Sequence, residues 1–182
     1  MVKGWADMEK RHILICGERR VGKSTMIEKL INEIDKPVYG FFTRMYEPNE
    51  KGFYPIYMFS PTDTVREKTD KNYVADCNGH QRSVNVAVFD NLGLELLEKQ
   101  EGILVMDELG FMETGSPAFC ESVLNHLDGD DHVIATVKAR FDVDFLDKVR
   151  NHPKALVCEI TPENRDEVYE HLLPIVHSWN RE

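Results

Sequence analysis

No stretch of this 182-residue chain comes near the roughly 20 consecutive apolar residues that a membrane-spanning helix needs. The opening decapeptide, Met-Val-Lys-Gly-Trp-Ala-Asp-Met-Glu-Lys, also lacks the apolar region of a signal peptide. The reading is a soluble protein of the cytoplasm, with residues 1–10 as a polar N-terminal extension. Cysteine is scarce and scattered: Cys16, Cys77, Cys120 and Cys158 form no C-x-x-C pair and have no histidine beside them at zinc-ligand spacing. That excludes a zinc module and a disulfide scaffold and points to reduced thiols. Positive charge is short, with 22 Lys and Arg against 32 Asp and Glu, a formal net charge of -10. Most of the surface therefore repels nucleic acid and anionic membranes, so any phosphate ligand must be captured at a local site. The seven histidines show no metal or triad spacing, and no internal repeat or second domain is visible.

What is present is ordinary for a folded domain. Hydrophobic residues make up 42% and charged residues 30%, enough apolar surface to offset chain ordering. Apolar runs alternate with helical spacing. His12 to Cys16 reads as a strand, Lys23 to Ile34 as a helix stopped by Asp35-Lys36-Pro37, and Val38 opens a second strand. Aromatic and β-prone residues from Val38 to Phe59 predict a hairpin turning near Asn49, with aromatics that serve packing more than base stacking. Residues 60–85 read as a long polar excursion. Val86 to Gln100 becomes helical in its second half, Ile103 to Asp107 is a buried strand, and Ser116 N-caps a helix that begins at Pro117. His132 to Val137 is a strand, Asp142 to Arg150 a helix, Ala155 to Ile160 a strand, and Thr161-Pro162-Glu163-Asn164 opens the last helix. This alternation predicts an α/β fold, a mostly parallel sheet with helices on both faces and the hairpin as an antiparallel addition.

Between the first strand and the first helix, Gly17-Glu18-Arg19-Arg20-Val21-Gly22-Lys23-Ser24 fills all eight positions of the phosphate-loop pattern, followed by Thr25. Glycines at 17 and 22 let successive N–H groups point at phosphate oxygens. Lys23 would place a compact cation on the β- and γ-phosphates, and the Ser24 hydroxyl would serve a magnesium ion. The second chemical motif closes a buried strand: Ile103-Leu104-Val105-Met106 runs into Asp107 and Glu108. It resembles a Walker B strand with an adjacent catalytic glutamate, with Asp107 on the metal and Glu108 orienting or deprotonating water.

These motifs, with Gly40-Phe41-Phe42-Thr43-Arg44, Gly52-Phe53, the segment from Asp107 to Glu113 followed by Ser116-Pro117 and Phe119, and Thr161 to Arg165, resemble the small broad-specificity nucleoside-triphosphatase family of the thermophile and cancer-related kind. The resemblance implies a three-layer P-loop domain over residues 11–182 that hydrolyses ATP, GTP and other nucleoside triphosphates with magnesium. It also implies that Arg44 stabilises charge on the γ-phosphate. One position departs: Phe111 stands where the family usually has lysine, so that cation must come from elsewhere. Lys138 and Arg140, after the strand ending at Val137, are further candidates, and Glu113 reads as closing a turn. Two other readings stay open here, a nucleotide or metabolite kinase using 60–85 as a lid, and a nucleotide-gated module that a protein partner activates.

Overall fold

The computed structural model describes residues 10–139 and 142–182, so Arg140 and most of the expected N-terminal extension lie outside the described residues. Within them, one eight-stranded sheet runs in the order β5-β4-β3-β2-β6-β7-β1-β8. Its parallel half contains β1 (His12–Gly17), β2 (Val38–Met45), β6 (Ile103–Leu109), β7 (Val133–Lys138) and β8 (Ala155–Glu159). Its antiparallel half adds β3 (Tyr54–Phe59), β4 (Tyr73–Cys77) and β5 (Arg82–Val84) outside β2.

The parallel strands are apolar on both faces because helices cover both. Ile13 and Ile15 of β1 face one layer with α1 (Lys23–Ile31) and α5 (Arg165–Trp179), in a cluster holding Met26, Ile27, Leu30, Leu172 and Val176. Leu14 and Cys16, one residue out of phase, face the other layer. There α3 (Pro117–Asp128) and α4 (Asp144–Arg150) bury Phe119, Val123, Leu146 and Val149. Phe119 anchors that side, its ring 5.6 Å from Phe41 and 5.3 Å from Phe89. Among the hairpin aromatics, Phe41, Phe42 and Phe59 are buried and Tyr57 is set edge-on to Tyr46 and Tyr73, so these pack, while Tyr54 is exposed.

Three expectations need correction. First, α1 stops at Ile31 instead of Ile34. Its last turn tightens, with Glu33 N–H donating to Leu30 O and Ile34 N–H to Ile31 O, because Asn180 at the end of α5 bonds both Glu33 O and Asp35 N–H. Second, the polar excursion of 60–85 carries a second hairpin, β4–β5, whose Val74 and Ala75 are fully buried. An edge hairpin needs only a short apolar anchor, so composition under-reports it. Third, β6 runs two residues past Asp107 and takes Glu108 into the strand. The helical stretch after Val86 begins as a π-turn, Phe89–Gly93, and continues into α2 (Leu94–Leu96). Asn49 forms the predicted hairpin turn, its side chain accepting from the N–H groups of Lys51 and Phe53.

Candidate functional site

The loop between β1 and α1 has the backbone its sequence demands. Gly17 has φ +148, and a Cβ there would lie 2.5 Å from the Ile160 carbonyl oxygen. Gly22 has φ +102 and immediately precedes α1. Both angles are costly for any residue with a Cβ, which is why the loop can turn so tightly into a helix. The first turn of α1 has no acidic side chain of its own, so its N–H groups and the helix dipole add positive potential at the loop. Lys23 is buried and folds over the loop, its Nζ donating to the carbonyls of Gly17 at 3.0 Å and Glu18 at 2.7 Å. Val21 packs inward, whereas Glu18, Arg19 and Arg20 are exposed. Thr25 is exposed on the first turn of the helix.

Asp107 is 1% exposed and is brought to this loop across 83 residues of chain. Its Oδ1 accepts from Ser24 Oγ at 3.2 Å and from Thr136 Oγ at 2.6 Å, and its Oδ2 from Arg44 Nη1 at 2.7 Å. Thr43 Oγ donates to the Asp107 main-chain oxygen at 3.2 Å. The sheet order explains the grouping. β7 lies between β1 and β6, so Thr136 on β7 sits between Ser24, in the first turn of the helix that follows β1, and Asp107 near the end of β6. The register of β6 on β7 shifts between Met106 and Leu109, which releases Asp107 and Glu108 from the regular ladder.

Glu108 is partly exposed and pairs with Lys138 Nζ at 3.4 Å. Both line a cavity of 610 Å³ whose floor includes Gly17, Glu18 and Lys23, with Thr43 on the same wall. Arg44 takes a different place from a free finger. It bridges Asp107 and the Glu28 carboxylate, 2.9 Å from Nη2, with its guanidinium 4.9 Å from the Phe42 ring. Glu113 is buried and accepts from Gly110 N–H at 3.1 Å, closing the turn after β6. Burial pushes its carboxyl up to about 7, opposed by nearby Lys138.

The arrangement has groups that suit a phosphate ligand: a glycine-bounded loop running into a helix N-terminus, a lysine over that loop, and a hydroxyl and a carboxylate 3.2 Å apart. Among the described residues no group of three or more His, Cys, Asp or Glu could hold a metal ion alone. Ser24 and Asp107 nevertheless fit magnesium, which takes few protein ligands and completes its shell from phosphate and water. The sequence had singled out Ser24, Lys23, Asp107, Glu108 and Arg44. It missed Thr136, legible only as a lone hydroxyl in the apolar run of β7, and it missed the far cavity wall of Cys77, His80, Gln81 and Arg82, hidden in the excursion. No helix among the described residues is long and apolar enough to cross a membrane.

A family model described as NTPase matches residues 12–173. Nucleoside-triphosphatase THEP1 of Aquifex aeolicus is 28% identical over 174 residues, covering 90% of this chain and 98% of that one. Nucleoside-triphosphatase THEP1 of Methanocaldococcus jannaschii is 32% identical, covering 88% of this chain and 94% of that one. The crystal structure of the Aquifex aeolicus protein superposes with a TM-score of 0.69 over 91% of this chain and 98% of that chain, at 26% identity.

Proposed function

The chain belongs to the NTPase family and is a hydrolase of nucleoside triphosphates, and we propose that the reaction runs in the cavity between the phosphate loop and the end of β6, with little selection of the base. Residues 11–182 are read as its single catalytic domain. The backbone N–H groups of Gly17 to Thr25 cradle the phosphates, and Lys23 exchanges its loop carbonyls for β- and γ-phosphate oxygens. Ser24 and Asp107 would hold magnesium, and the ion would supply positive charge to the phosphate oxygens. Thr136 and Arg44 fix the Asp107 carboxylate, and Arg44 adds positive potential at the phosphate end.

Glu108 orients the attacking water and accepts its proton. The water oxygen forms a bond to the γ-phosphorus while the bond from that phosphorus to the β–γ bridging oxygen breaks. The electron pair leaves on the nucleoside diphosphate, and inorganic phosphate is the second product. Lys138, 3.4 Å from Glu108, steadies the carboxylate on the cavity side.

The observation that carries this reading is the convergence of Ser24 Oγ and Asp107 Oδ1 at 3.2 Å beside Lys23, with Glu108 on the same cavity. Phosphate release from ATP, GTP, CTP and UTP tests it. Glu108→Gln is expected to lose about a hundredfold or more in kcat while still binding nucleotide, the size of effect expected for general-base catalysis. Turnover equal to wild type in that variant would remove Glu108 from the mechanism, and a strong preference for one nucleotide would remove the breadth.

A further inference from the structure

We propose that Arg82, on β5, is a catalytic residue that contacts the γ-phosphate oxygens as negative charge redistributes on them, delivered to the site by the β4–β5 hairpin and guided by the ring of Phe111. The proposal rests on the hydrolytic reading above, and it begins from a count of cations that are already engaged. A triphosphate carries several negative charges into a molecule whose own net charge is -10. Arg44 is held by Asp107 at 2.7 Å and Glu28 at 2.9 Å. Lys138 is paired with Glu108 at 3.4 Å. Arg19, on the loop itself, reaches to the sulfur of Met45 at 3.1 Å.

Arg82, like Arg19, has no carboxylate partner among the described residues, but unlike Arg19 it rests on an aromatic ring of the cavity. Its guanidinium carbon lies 4.2 Å from the centroid of Phe111, and Lys138 Nζ lies 5.3 Å from the same centroid. One aromatic ring therefore links Arg82 to the Lys138–Glu108 pair. All four residues line the cavity with Lys23. A contact between an exposed cation and a ring face is weak beside a bidentate guanidinium–phosphate contact, so the ring can park Arg82 without retaining it.

The hairpin gives the side chain a defined origin. Cys77 opposes Arg82 in the β4–β5 pairing, and the turn between them is closed by Asn78, whose N–H donates to Gln81 O at 3.1 Å. Asn78 Oδ1 accepts from the N–H groups of His80 at 3.1 Å and Gln81 at 2.8 Å. Arginine suits the task better than lysine would, since its planar fork both stacks on a ring and matches two phosphate oxygens. The chemistry is that of an arginine finger supplied in cis.

The test compares wild type, Arg82→Ala, Arg82→Lys and Phe111→Leu, with magnesium and ATP for turnover. ADP alone, and ADP with magnesium and aluminium fluoride, serve as binding probes. Arg82→Ala is expected to lower kcat about a hundredfold or more, the cost of removing one preorganised charge donor, with ADP affinity and melting temperature unchanged. It should also lose the tighter binding that wild type shows for ADP with aluminium fluoride, and Arg82→Lys should recover only part of both. Phe111→Leu should fall between wild type and Arg82→Ala. The inference is overturned if Arg82→Ala keeps kcat within about twofold and keeps the fluoride complex. It is also overturned if kcat falls only together with ADP affinity and melting temperature, the mark of a structural role. Failure of the underlying reading looks different: wild type itself releases no phosphate, or Lys23→Ala binds ATP as tightly as wild type.

Discussion

At the residue scale the most informative side chains are those whose surroundings change their chemistry. Glu113 is a buried carboxyl raised from 4.5 to about 7 by desolvation, with Gly110 N–H and Lys138 pulling the other way and Glu108 adding to the rise. A folded pKa above the unfolded one favours the neutral acid in the native state. Its stabilising contribution is therefore complete below 4.5 and is lost as pH rises through about 7. Glu113→Gln should flatten that decline in urea midpoints measured at about pH 5 and pH 8; an unchanged slope would mean Glu113 is not its source. His12 acts with the opposite sign. Its ring is lowered to about 4 by burial while its Nε2 is bonded to Leu127 O at 2.8 Å, so its contribution is present above 6.5 and fades as pH falls toward about 4.

At the scale of elements, the ends of helices matter more than their middles. Ser116 N-caps α3 by accepting from Phe119 N–H at 3.2 Å, with Pro117 at the first helical position, as the sequence pattern requires. The same hydroxyl donates to Asp90 at the start of the π-turn, so one residue ties two elements of one layer. Ser116→Ala should cost about 1–2 kcal/mol in denaturant unfolding, the upper range for a cap, because it cuts the tie to Asp90 as well. A loss below about 0.3 kcal/mol would show that neither bond counts. Helix α3, from cap to last buried leucine, was readable because capping and amphipathic spacing are local. The end of α1 was not, because Asn180, 147 residues beyond Glu33, decides where it stops.

For the whole molecule, a ligand that binds only the folded chain must stabilise it. Saturating magnesium nucleotide, at about 100 times its Kd, should add about 2.7 kcal/mol and raise the melting temperature by several degrees. Lys23→Ala should abolish most of that rise while leaving the unliganded melting temperature close to wild type; an undiminished rise would place the nucleotide elsewhere. The acidic net charge fits a molecule that attracts phosphate only where backbone N–H groups and a few cations concentrate.

The phosphate loop, the alternation of strands and helices, the two acids ending an apolar strand, and the family likeness were all legible in the order of residues alone. Each is written in consecutive residues, where a turn's φ angles, a periodicity of 2 or 3.6 and a cap all act over a few positions. Folding was needed to reveal that Thr136 holds Asp107, that Arg44 bridges two carboxylates, and that Arg82 stands on Phe111 in the cavity lining. Those partners come from strands far apart in the chain. They meet because parallel strands joined by crossovers are ordered in space by which faces they bury, and that order is set by packing against both helical layers at once.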